Sequence, residues 1–140
     1  MNEMINAYRS NRASSAEYSS PHQLITMLLD GAMERITRAI GHIERREIAA
    51  KGESISRTVG IIDYLLSSLD SGIDDGRVSS NLAALYEYML QRLTEANLLN
   101  DPALLEEVRN LLGEVRDAWV AIPPEQRDPA RAGISGVARS

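Results

Sequence analysis

Apolar side chains recur at steps of three and four residues through four long segments of this chain, and no other feature constrains its fold as tightly. A helix face returns about every 3.6 residues, whereas a half-buried strand must alternate by two. The first segment opens at Ser20-Pro21, where the Ser20 hydroxyl is placed to accept from the Gln23 amide and Pro21 occupies the first helical position. Ile25, Leu28, Ala32, Ile36, Ala39 and Ile43 then keep the three-four rhythm, and the glycine of Lys51-Gly52 predicts the end of the helix. A second helix is predicted from about Glu53 to Asp70 with the seam Ile55, Val59, Ile62, Leu66 and Leu69. After the turn-rich SGIDDGR, a third covers Ser79 to Leu99 with Leu82, Tyr86, Met89, Leu93 and Ala96 on one face. Asp101-Pro102 starts a fourth, carrying Leu105, Val108, Leu112, Val115, Trp119 and Ile122, and Pro123-Pro124 stops it.

Short connections between helices of similar length favour antiparallel neighbours. The expectation is therefore an all-α fold, an antiparallel up-down four-helix bundle over residues 21–122. The flanks read differently. Residues 1–20 combine an N-terminal cap segment with a serine-rich linker: Met1, Met4, Ile5 and Tyr8 share one helical face, too short to be stable alone. Residues 123–140 have little to bury and read as a disordered, flexible tail.

Composition excludes more than it identifies. With no cysteine, disulfides, thiolate metal sites and cysteine nucleophiles drop out. A net charge of −5 argues against nucleic acid as a partner, and no stretch is long and apolar enough for membrane insertion; a cytoplasmic location is the default. Neither histidine follows an acidic residue by three positions, so the Glu-x-x-His pattern of di-iron bundles is missing. His22 is expected to be solvent-exposed in the first helical turn. His42, with Arg38, Arg45 and Arg46, is expected on a solvated basic face, as are Arg35 and Lys51, interleaved with Glu34, Glu44 and Glu47. Arg35 and His42 also show the Arg-x6-His spacing of HEPN-type helical ribonucleases, a common coincidence on an arginine-rich helix. No phosphate loop or nucleophile motif accompanies it, so the chain reads as neither an enzyme nor a binder of cofactors, metals or small-molecule substrates.

The surplus apolar surface is more informative. Leu24, Ile25, Met27, Leu28 and Leu29 spread over roughly 200° of the first helix, about twice what docking on one core requires. Ile61, Tyr64 and Leu65 widen the second helix in the same way. An apolar groove that accepts a partner helix follows from this excess, with Leu24, Ile25, Leu28, Leu29, Ile61, Tyr64, Leu65 and Tyr86 as candidate lining. Asn97 is a candidate for bonding the partner's backbone, or a helix C-terminal cap.

Tyr8, Ser20-Pro21-x-x-Leu24-Ile25-x-x-Leu28, Asp30-Gly31-Ala32, Leu69-Asp70, Asn81-Leu82, Leu85-Tyr86-Glu87-Tyr88-Met89, Ala96-Asn97 and Trp119 together resemble the flagellar export chaperones of the FliS family, in order and spacing, over residues 5–122. Leu29 departs from the pattern, since the family more often has tyrosine there. The resemblance implies a cytoplasmic chaperone that binds the disordered C-terminal segment of flagellin one-to-one. That segment becomes helical on the bundle, premature polymerisation is prevented, and the complex is delivered to the type III export gate. On this reading Met4, Ile5 and Tyr8 cover part of the groove until the client displaces them. A helical adaptor for a different partner is the alternative.

Overall fold

The computed structural model describes residues 20–69 and 77–123, and within them four helices form: α1 (Pro21–Glu44), α2 (Ile48–Ser67), α3 (Arg77–Leu99) and α4 (Pro102–Val120). The expected Met4, Ile5 and Tyr8 cap and the tail after Pro123 lie outside the described residues. The two capped starts form as read, while α2 begins at Ile48 rather than near Glu53 and α3 at Arg77 rather than near Ser79. Gln23 N–H donates to Ser20 Oγ at 3.1 Å while Ser20 N–H donates to Gln23 Oε1 at 3.2 Å, a complete capping box. Asp101 Oδ1 accepts from Ala103 N–H at 2.9 Å ahead of Pro102.

The end of α1 is a correction. The helix does not run to Lys51-Gly52; it stops at Glu44, and both residues lie inside α2. The break carries no glycine. Arg46 takes the left-handed conformation (φ 61°), and Glu47 N–H donates back to His42 O at 2.8 Å. The Glu47 carboxylate closes the turn by accepting from Arg45 Nε at 3.0 Å and bonding His42 Nδ1 at 2.7 Å. These bonds pull its pKa below the usual glutamate range, His42 contributing most. His42 is thus engaged in closing a turn rather than lying free on a basic face. Left-handed backbone costs an L-residue about 1–2 kcal/mol, which glycine avoids in part. Arg46→Gly should therefore stabilise the bundle by about 0.5–1 kcal/mol in urea unfolding; a loss of stability would mean the Arg46 side chain holds the turn.

The second tight turn uses a residue that tolerates φ > 0. Asn100 (φ 52°) follows α3, and Asp101 N–H reaches Ala96 O at 3.3 Å, the long bond of a Schellman-type ending.

Around the bundle α1 packs on α2 and α4, and α3 packs on the same two, so neighbours in sequence are neighbours in space and α4 closes the ring. Contacts between distant residues fix the directions. Asp30 meets Arg116 and Thr37 meets Arg109, so α1 and α4 are antiparallel. Arg92 bonds Glu107, making α3 and α4 antiparallel, and Lys51 reaches the end of α3 from the start of α2. Inside lie Leu28, Leu29, Ala32 and Ile36 of α1, Ile61, Ile62 and Leu65 of α2, Met89 and Leu93 of α3, and Leu105, Val108 and Leu112 of α4.

The buried face of α2 is rotated from the predicted seam. Ile55 and Ile62 are buried as expected, but Val59, Leu66 and Leu69 are only half-buried, while Ser54, Thr58, Gly60, Ile61 and Leu65 point inward. Thr58 can face the core because its hydroxyl donates to Ser54 O at 2.9 Å within the helix, which leaves no polar group unpaired. A polar residue satisfied by its own helix is invisible to apolar periodicity.

Candidate functional site

Where α1 begins, α2 ends, α3 begins and α4 ends, the core layers stop and leave a small, partly open recess of about 30 Å³. All four helices or their ends build it: Ile25 and Leu29 from α1, Leu65 from α2 with Ser68 and Leu69 just beyond, Leu82 and Tyr86 from α3, Val115 and Trp119 from α4. Six of these nine residues are aliphatic and none is charged. Such a surface attracts an apolar occupant and penalises a charged one, since desolvation of the charge would have no counter-ion to offset it.

One wall is held by a clasp between the two chain-distant ends of the bundle. The His22 imidazole stacks on the Trp119 indole with centroids 4.9 Å apart and planes 10° from parallel. Two bonds lock the pair: Trp119 Nε1–H donates to His22 O at 3.0 Å, and His22 Nε2 lies 2.8 Å from Trp119 O. The imidazole nitrogen facing that carbonyl must carry the proton, because a carbonyl only accepts. His22 is 8% exposed, so the expectation of a solvated first-turn histidine is wrong. Its partner lies 97 positions away, beyond the reach of any local pattern.

The structure sorts the candidate groove residues into three groups. Ile25, Leu29, Leu65 and Tyr86 come together in the recess, though Leu29, Leu65 and Tyr86 are themselves buried and form its floor and walls. Leu28 and Ile61 are fully buried in the core, while Leu24 and Tyr64 are half-buried against it, outside the recess lining. Asn97 lies at the opposite end of the bundle with its side chain exposed. There Lys51 Nζ donates to Asn97 O at 2.9 Å and to Asn100 Oδ1. Lys51 is 4% exposed, so it belongs to no solvated basic face; it spans from α2 to close the last turn of α3. The left-handed cap residue is Asn100, three positions beyond the asparagine singled out from sequence.

Leu69, Leu82, Val115 and Trp119 are lining residues that the groove reading left among the seams. Their signal was their position at the tips of those seams, on the two helix starts and two helix ends that the up-down order gathers at one pole.

Tyr86 is 3% exposed and burial alone pushes its phenol up to about 12. Its neighbour Tyr88, on the outer face, donates instead to Glu107 Oε2, and Arg92 bonds Glu107 and Glu95 there. That exposed cluster ties α3 to α4 and is remote from the recess chemistry. Among the described residues no group of three or more His, Cys, Asp or Glu side chains is placed to hold a metal, and no helix is long and apolar enough to cross a membrane.

Comparison with known proteins is consistent along the whole bundle. The family model described as flagellar protein FliS matches residues 4–126. The flagellar secretion chaperone FliS of Salmonella typhimurium is 43% identical over 86% of this chain and 90% of its own length. The flagellar secretion chaperone FliSB of Pseudomonas aeruginosa is 46% identical over 74% of this chain and 82% of its own, and FliS of Bacillus subtilis is 34% identical over 95% and 97%.

Proposed function

This chain belongs to the FliS family of flagellar secretion chaperones and is not an enzyme, and from that premise we propose that it binds the C-terminal segment of flagellin one-to-one in the cytoplasm. The observation that carries the reading is the uncharged recess to which all four helices contribute. A disordered client loses conformational entropy when it orders, so it must bury about 1,000–3,000 Å² in total. A recess of about 30 Å³ supplies little of that area by itself. The client therefore runs on over the half-buried apolar residues beside it, with Ile25 central, Leu24 and Tyr64 as further contacts, and Leu28, Leu29, Ile61 and Leu65 as the packed support beneath. Asn97, at the far pole, would meet only the end of a client that spans the bundle. Folding of flagellin on this surface withholds it from premature polymerisation until the complex reaches the type III export gate.

Met4, Ile5 and Tyr8 act in this scheme as a tethered competitor for the same surface. Their linker sets a local concentration in the millimolar range, enough to shield apolar surface but not to defeat a client that binds well. The test is calorimetric titration with a peptide covering the flagellin C-terminal segment, with helicity followed by circular dichroism. The expected result is one-to-one binding with a Kd of about 1 μM or tighter and more helix than the separate components show. Absence of heat and of added helix would overturn the flagellin assignment. In the same assay, removal of residues 1–18 should tighten client binding and increase apolar dye binding; no change in either would remove the competitor role alone.

A further inference from the structure

Tyr86 raises a question that the apolar character of the recess does not answer. Its side chain lines the recess and is 3% exposed, yet its hydroxyl has no hydrogen-bond partner among the described residues. A buried phenol normally finds one. Phenylalanine at this position would supply the same ring without the penalty, and the chain contains no phenylalanine at all.

The recess has room for water beside the ring, about 30 Å³, so water can serve the hydroxyl whenever neither the N-terminal segment nor a client covers the recess. A client that fills the recess removes that solvent, so an apolar side chain placed there would strand the donor at a cost in affinity. A client oxygen placed there would instead turn the donor into a selective contact.

Resting on the flagellin reading above, we propose that Tyr86 is a specificity-determining donor whose hydroxyl bonds an uncharged side-chain oxygen of the client: the amide of Asn or Gln, or the hydroxyl of Ser or Thr. Main-chain carbonyls of a helical client are already paired along its own axis, which leaves side chains to supply the acceptor. A carboxylate is disfavoured because no cationic residue lines the recess to compensate its desolvation. The recess thus recognises a polar side chain among apolar ones, and discriminates against a client segment that is apolar throughout.

Tyr86→Phe separates the possibilities by sign. If the hydroxyl serves the client, the variant weakens flagellin-peptide binding by about tenfold. Its Tm in the free state does not fall, because no protein hydrogen bond is lost. Replacing the acceptor residue of the peptide (Asn or Gln to Leu, Ser or Thr to Ala) should then weaken wild-type binding by a similar factor and leave binding to Tyr86→Phe unchanged, the pattern of a coupled pair in a double-mutant cycle. Equal or tighter binding by Tyr86→Phe, with wild-type binding intact, overturns the donor role and leaves the chaperone reading standing. Failure of the wild-type protein to bind the peptide overturns both. A fall in Tm of the free variant would assign the hydroxyl a structural bond within the chain and likewise overturn the proposal.

Discussion

Trp119→Ala is expected to cost the bundle about 3–5 kcal/mol, a large part of the 5–15 kcal/mol typical of a domain. Trp119 is 9% exposed; its indole stacks on His22 and donates one hydrogen bond to the His22 carbonyl, while His22 Nε2 bonds the Trp119 main-chain carbonyl, across 97 residues of chain. Its removal empties one wall of the recess and takes away the ring stack and the indole bond between the start of α1 and the end of α4, while the His22 bond to the main-chain carbonyl of residue 119 remains. The His22 carbonyl itself stays bonded, since Thr26 Oγ1–H donates to it at 3.0 Å, so packing dominates the loss. Urea unfolding followed by far-UV circular dichroism reads the effect directly; Tm should fall by about 10–20 °C. Trp119→Phe keeps a ring over the imidazole and gives up the indole donor, so about 1–2 kcal/mol is expected. Client binding should collapse with the alanine variant, because recess and fold share this residue. Should the alanine variant unfold within about 1 kcal/mol of the parent, the clasp would be ornamental and the pole of the bundle held by other contacts.

The clasp also marks where sequence reasoning stops. Helix number, order and both capped starts were legible because Ser20-Pro21 and Asp101-Pro102 act within one turn of themselves. The break after Glu44 was not, since Arg46 adopts its left-handed conformation without glycine or asparagine, while Gly52 suggests an ending in a place where it has open space and no backbone role. The rotated face of α2 hides behind Thr58, whose hydroxyl is satisfied by its own helix. For the recess, apolar excess picked out four of its lining residues, Ile25, Leu29, Leu65 and Tyr86. It could not separate them from Leu28 and Ile61, because one helical face supplies core and rim alike and only the stacking of helices decides which layer is last. His22, judged by local context, was read as solvated; a residue 97 positions on buries it. Lys51, read as one charge on a basic face, caps a different helix.

That difference between core and rim yields the second large effect. Leu69 lines the recess, is half-buried, and lies just past the last turn of α2, where a substitution interrupts no helix. Leu69→Asp should lower stability by only about 1 kcal/mol, because in the free protein the carboxylate can turn toward solvent. In the complex it has no such escape: an apolar client would seal an unpaired charge in a recess without cations, at a cost of about 3 kcal/mol or more. Affinity for the flagellin peptide is therefore expected to fall about 100-fold or more, with Tm nearly held. Leu69→Ala should lose far less affinity, since it removes contact without adding a charge. The pattern is the reverse of Trp119→Ala, where stability and binding fall together. Calorimetric Kd and Tm measured side by side on the two variants distinguish a surface that recognises a client from a core that only supports it. If Leu69→Asp binds like the parent, the client docks elsewhere on the bundle, and the half-buried row through Leu24 and Tyr64 becomes the surface to substitute next.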